Sequence, residues 1–215
     1  MSFLETTAYI GNFILFINLL VYSKSYRNSN SVAFKVFTFY LLIILIIQII
    51  STYLRNLYVE NIFLSHYYFI GQFILLSLFF KLILKNKPIK KVVKLLLTLT
   101  LTTLCIYYII YPTNYYKFNV IEIILTSIPL LIYCFSFFIQ TIDADNKKFI
   151  YIISGFFLYL LCSTLLFTAG NISTDFRKII WNTNAVLYII YQLLIFIEWY
   201  KHFRKPIKES TQLDV

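Results

Sequence analysis

Charge is the scarcest ingredient of this sequence. Only 13% of its 215 residues are Asp, Glu, Lys or Arg, against about 25% in an average soluble domain. With 60% hydrophobic residues, there are too few polar side chains to cover the surface of a water-soluble fold. Glycine and proline are also scarce, at four each, which excludes long flexible or Pro-rich linkers. The three cysteines, Cys105, Cys134 and Cys162, lie far apart within apolar runs and form no Cys-x-x-Cys. Two histidines are too few to complete a zinc set. The cysteines therefore read as small apolar side chains, and no metal or cofactor is expected.

Several chemistries lack their residues. There is no G-x-G-x-x-G, Walker or G-x-S-x-G frame. Retinal binding needs a lysine in the seventh span, and IIWNTNAVLYIIYQLLIFIEWY has none. Seven-span sugar and amino-acid carriers usually show a Pro-Gln pair in matching helices, and this chain has no such pair. The first residues, MSFLETTAYIGNFILF, carry no basic n-region, so the first apolar run reads as a retained span rather than a cleaved signal. Enzymatic activity is not expected.

What the chain does have is long apolar runs. Seven of them occupy approximately 8–23, 35–54, 62–84, 92–111, 118–140, 149–169 and 179–199. Each is near the roughly 17–25 residues that a spanning helix needs. The expected fold is an all-α bundle of seven transmembrane helices over 1–200, with a polar cytoplasmic tail at 201–215. Short connections make sequential helices antiparallel neighbours. A three-plus-three arrangement around a linker helix is compatible with seven spans, although segments 1–3 and 5–7 share no evident sequence match. If the first run were not a span, six helices would remain and the N-terminus would be cytoplasmic.

The net charge of +10 would suggest nucleic acid in a soluble protein. Here it is distributed as insertion requires. One set of helix ends and loops holds 15 Lys and Arg; the other holds four, namely Arg55, Lys117, Arg177 and Lys178. That asymmetry puts the N-terminus outside and the C-terminus in the cytoplasm. The basic face suits anionic lipid headgroups, and no nucleic acid partner is expected. The Ile, Asn, Lys, Tyr and Phe bias fits an AT-rich bacterial genome, so a bacterial inner membrane is the expected location. The Tyr cluster around 107–116 fits an interfacial aromatic belt. The sequon at Asn171 would matter only in a eukaryotic secretory pathway.

Polar side chains fall on stripes. In the fifth span Glu122, Thr126, Pro129, Tyr133, Ser136 and Gln140 step by four and three, which places them on one helix face. Pro129 removes a backbone hydrogen bond and is expected to kink that helix. The seventh span repeats the pattern with Trp181, Asn184, Tyr188, Tyr191, Ile195 and Glu198. The second carries Gln48, Ser51, Thr52 and Arg55; the third carries Ser65, His66, Tyr68 and Gln72. Gly155, Tyr159, Cys162, Ser163 and Thr168 give the sixth a small-residue face suited to close packing. Glu198, three residues before Lys201 and four before His202, reads as a surface ion pair.

Glu122, His66, Arg55, Gln72 and Asn184 share a depth near the outer ends of their helices. An intramembrane carboxylate costs roughly 2.5–3.5 kcal/mol on insertion scales, so a partner is expected: Arg55, His66 or Lys117. Two readings follow. These groups either glue helices together through hydrogen bonds, or line an outward-facing pocket built by helices 2, 3, 5 and 7. In the second case Glu122, His66, Arg55, Gln72, Tyr68, Gln48, Thr126, Asn184 and Tyr188 form the site. The expected function is then a sensor or receptor-like subunit that binds a small ligand or ion and contacts a protein partner or a second copy. Alternatives are a small-solute or ion transporter gated by Glu122, and a structural subunit of a larger membrane complex.

Overall fold

The computed structural model describes residues 3–142, 147–169 and 174–204, with side chains described for 3–142, 147–166 and 179–204. Most of the tail at 201–215, the sequon, and the side chains of Thr168, Arg177 and Lys178 lie outside these. The chain forms α1 (Phe3–Tyr26), α2 (Val32–Asn56), α3 (Phe63–Ile83), α4 (Lys87–Ile110), a 3-10 turn (Pro112–Tyr116), α5 (Val120–Thr141), α6 (Ile150–Ala169) and α7 (Thr174–His202). No strand occurs among the described residues.

Six helices are long and apolar enough to cross a bilayer: α1 to α5 and α7; the described side chains of α6 form a shorter apolar run, Ile150–Leu166. Together they point to an integral membrane protein. Large apolar side chains such as Phe13, Leu95, Ile109 and Ile139 lie exposed on the outside of the bundle, where lipid rather than water is the natural solvent.

Helix ends follow local chemistry more than hydropathy. The expected span boundaries were the limits of apolar runs, and most helices overrun them. Helix α4 begins at Lys87, with Pro88 in its first turn, because proline there sacrifices only an N–H that has no helical partner. Helix α2 starts where the Ser31 hydroxyl accepts the Phe34 N–H at 3.3 Å. Helix α5 starts where Asn119 Oδ1 accepts the N–H groups of Ile121 and Glu122. It then runs unbroken through buried Pro129 to Thr141.

Contacts between helices define a ring. Helix α1 packs on α2, α2 on α3, α3 on α5, α5 on α6, α6 on α7, and α7 back on α1. Helix α4 stands outside, touching only α3, α5 and the 3-10 turn, and of its side chains only Val93, Thr100 and Leu104 are buried. Helices α1–α3 and α5–α7 thus form two sequential three-helix blocks, bridged by α4.

The ring has a wet end and a dry end. Toward the basic face its centre is filled by aromatic rings. Tyr22 stacks on Phe34 at 5.0 Å, Phe34 meets Phe203 at 4.5 Å, and Phe79 meets Phe37 and Phe149 at 5.3 and 5.2 Å. Above that plug lies a tyrosine layer, in which Tyr159 stacks on Tyr191 and its hydroxyl lies 3.4 Å from that of Tyr68, across the ring.

Lipid tails are as apolar as leucine, so burial of oily surface contributes little to helix association here; close packing and polar ties must hold the ring. The α1–α7 seam has both. Asn18 Nδ2 donates to the Gln192 carbonyl and side-chain oxygens at 2.8 and 2.9 Å, and the Tyr22 hydroxyl donates to the Ile195 carbonyl at 3.1 Å. Gly11 lets Tyr188 approach so closely that a Cβ there would sit 2.9 Å from its ring. At the α6–α7 contact, a Cβ on Gly155 would meet Leu194 at 2.8 Å and Tyr191 at 3.2 Å. Gly155→Val is therefore expected to destabilise by about 1–3 kcal/mol, the usual cost of overpacking. Gly71 has nothing within 4 Å of the corresponding position, so Gly71→Val should be far milder. Thermal midpoints in detergent check the order; equal shifts would refute the close-packing account.

Candidate functional site

The candidate residues separate into two places. The first is a buried polar cluster between α3, α4 and α5. Glu122 is 0% exposed and His66 3%. His66 Nδ1 lies 2.6 Å from Glu122 Oε2, and His66 Nε2 lies 2.9 Å from the Tyr115 carbonyl. A carbonyl only accepts, so Nε2 carries a hydrogen and Nδ1 shares one with the carboxyl. Whether that proton sits on nitrogen or oxygen, the couple has zero net charge, which makes its burial affordable. The Tyr108 hydroxyl donates to Glu122 Oε2 and lies 2.9 Å from His66 Nδ1, while Asn119 Nδ2 donates to Tyr108 at 3.1 Å. Thr126 donates back to the Glu122 carbonyl at 2.8 Å. Glu122 Oε1 is buried without a hydrogen bond.

Of the three partners weighed for Glu122, His66 is the one in contact. Lys117 is exposed and forms no ion pair among the described residues, and Arg55 lines the cavity instead. Sequence reasoning missed Tyr108, Asn119 and Tyr115. A signal for Asn119 was present: Asn119-x-x-Glu122 has capping-box spacing. Its Glu, however, turns to His66 instead of its own cap. Tyr108 was read as part of an interfacial belt; it is instead a specific hydrogen-bonding partner. Other belt members are also paired, Asn114 with Tyr107 at 2.8 Å and Tyr115 with Tyr67 at 3.0 Å. Its bond to Tyr67 helps to push the Tyr115 hydroxyl up to about 12, so it keeps its proton at neutral pH.

The second place is a cavity of about 800 Å³ at the N-terminal end of the ring. It is walled mainly by α1, α2, α3 and α7, with the start of α5 at its rim and Tyr159 of α6 in its floor. Gln48, Arg55, Tyr68, Asn184 and Tyr188 line it. Glu122, His66, Gln72 and Thr126 do not, so the expected single pocket of helices 2, 3, 5 and 7 is replaced by a cavity and a separate cluster. The reason is angular. Ser65 and Tyr68 face the cavity, and His66, one residue on, is rotated by about 100° toward α5. Arg55 ends α2 at the rim, its guanidinium 5.9 Å from the Tyr9 ring. Gln48 lies two turns deeper, about 10 Å down the helix. Asn184 Oδ1 is buried there without a hydrogen bond.

Glu198 also differs from its reading as a surface ion pair. It is 0% exposed. It does meet His202, at 2.7 Å, but it also accepts the N–H groups of Phe149 at 2.5 Å and Tyr151 at 3.0 Å. It caps the start of α6 from α7. Phe149 holds a φ of 70°, a left-handed conformation unusual for a bulky residue.

No family model, curated protein or solved structure gives a significant match to this chain. Its function has to be argued from its own geometry.

Proposed function

We propose that this chain is a non-enzymatic, receptor-like membrane sensor, set in a bacterial-type inner membrane with the cavity facing outward and the basic face in the cytoplasm. The observation that carries this reading is the cavity itself. Its volume lies within the roughly 300–1,000 Å³ typical of small-molecule sites. Its wall combines apolar surface with polar groups that converge from separate helices, as small-molecule sites do. The aromatic plug below it favours sensing over passage, and the basic face offers a surface to anionic lipid and to a partner that relays the signal.

The test uses protein in lipid nanodiscs and a small-molecule library scored by thermal shift. Compounds that bind the cavity raise the midpoint of the wild type and lose that effect in Ala185→Phe, which fills the cavity from its wall. Hits that stabilise the variant equally would remove the cavity from the account. Proteoliposomes should show no net flux of the same compounds.

One observation favours a transporter instead. His66 Nδ1 lies 2.6 Å from Glu122 Oε2, and Glu122 Oε1 has no hydrogen bond among the described residues. On that reading uptake into proteoliposomes occurs and Glu122→Gln abolishes it.

A further inference from the structure

The charge at the cavity wall narrows the class of ligand. Among the described lining residues Arg55 is the only charged side chain. Among the described residues the Arg55 guanidinium has no carboxylate within 4 Å, and it lies 5.9 Å from the Tyr9 ring. Five guanidinium donors at the rim therefore lack a matched acceptor. Glu5 and Glu60 belong to the same end of the chain but neither lines the cavity. Below Arg55 the wall is mixed: Ser51, Gln48 and Asn12 are polar, while Ile47, Phe69 and Ile180 supply apolar surface. The buried acceptor Asn184 Oδ1 marks the deeper wall.

We infer that the cavity takes an amphipathic anion, its carboxylate or phosphate on Arg55 at the rim and its apolar body between α1, α2, α3 and α7. This rests on the cavity being the binding site of the proposed sensor. The charge selects the head, because a planar guanidinium pairs two oxygens of a carboxylate or phosphate at once. The walls select the tail, because a fully hydrophilic anion would leave them unfilled. Such a ligand arrives either as a free acid from the aqueous side or as an anionic phospholipid from the surrounding leaflet.

Trp181 lines the cavity and makes it self-reporting. In nanodiscs of zwitterionic lipid, decanoate, decanol and decyltrimethylammonium are titrated while tryptophan fluorescence is followed. The Trp181→Phe protein isolates the cavity signal from Trp199. Decanoate is expected to saturate at a concentration about tenfold or more below the neutral and cationic analogues, the factor an ion-paired hydrogen bond supplies. Arg55→Gln should bring decanoate to the level of decanol, and Arg55→Lys should fall between. Equal half-saturation for all three probes, or an unchanged Arg55→Gln protein, overturns the anion assignment while the Ala185→Phe result still stands for the cavity. No saturable signal from any probe, with no library compound sensitive to Ala185→Phe, overturns both. Doping the discs with phosphatidylglycerol separates the two sources: a raised half-saturation for decanoate assigns the site to the lipid, an unchanged one to the free acid.

Discussion

Replacing Glu122 by alanine is expected to lower the thermal midpoint by about 10 °C. Removing one partner of a buried pair costs about 3–5 kcal/mol, and a chain of this size loses about 2–4 °C per kcal/mol. The cost is high because two groups converge on one buried carboxylate oxygen. His66 Nδ1 and the Tyr108 hydroxyl both lose their acceptor. The damage should concentrate on α4. Tyr108 ties that helix to the ring at one end, and Gln140 Oε1 receives the Lys85 and Asn86 N–H groups at the other, at 2.8 and 3.4 Å. Glu122→Gln keeps an oxygen for Tyr108 and should cost less than half as much. Replacing His66, Tyr108 and Glu122 together by apolar residues should recover much of the loss, because the orphaned donors disappear with their acceptor. A midpoint for Glu122→Ala within about 2 °C of the wild type would mean that the cluster does not hold α4 in place.

Glu198→Ala is expected to be nearly as damaging, at about 3 kcal/mol. The variant leaves the first N–H groups of α6 without a partner and His202 without its carboxylate. It also removes what fixes Phe149 in a left-handed conformation, whose own cost is of order 1–3 kcal/mol. Phe149 belongs to the aromatic plug through Phe79 and Phe203, so the basic end of the ring should loosen with it. Hydrogen exchange at the start of α6 is the direct measurement. Exchange there should accelerate in Glu198→Ala and stay near wild type in Lys201→Ala, whose ammonium meets the Tyr151 side chain. Equal protection in both variants would return Glu198 to the status of an ordinary surface acid.

Depth was legible in the sequence, and direction was not. Counting residues from the ends of apolar runs put Glu122, His66, Arg55 and Asn184 at one level; the first three lie within three residues of a helix end, whereas Asn184 lies ten residues into α7. Which of them meet depends on azimuth, and azimuth depends on which helix stands next to which. The stripe on α5 shows this. Its spacing correctly grouped Glu122, Thr126, Pro129 and Tyr133, all buried. Nothing in it said that Glu122 turns toward His66 and Tyr108 rather than into the lumen. The position of α4 outside the ring decides that, because it brings Tyr108 to the outer side of the α3–α5 contact. Glu198 failed for a related reason. Its neighbours in sequence are basic, which suggested a local surface pair; the pair with His202 forms, but the carboxylate is buried and also accepts N–H groups at the start of α6, 47 and 49 residues away.

The α1–α7 seam has a consequence for how the molecule comes into being. Asn18 and Gln192, whose bond helps to close the ring, are 174 residues apart. At about 5–20 residues per second, a ribosome needs about 10–35 seconds to travel from one to the other. For that interval α1 waits in the membrane with an unpaired amide side chain and no neighbour on one flank. The lumen stays open sideways to lipid until α7 arrives. An amphipathic guest already in the bilayer could therefore be enclosed as the last wall goes up, without ever passing the finished rim.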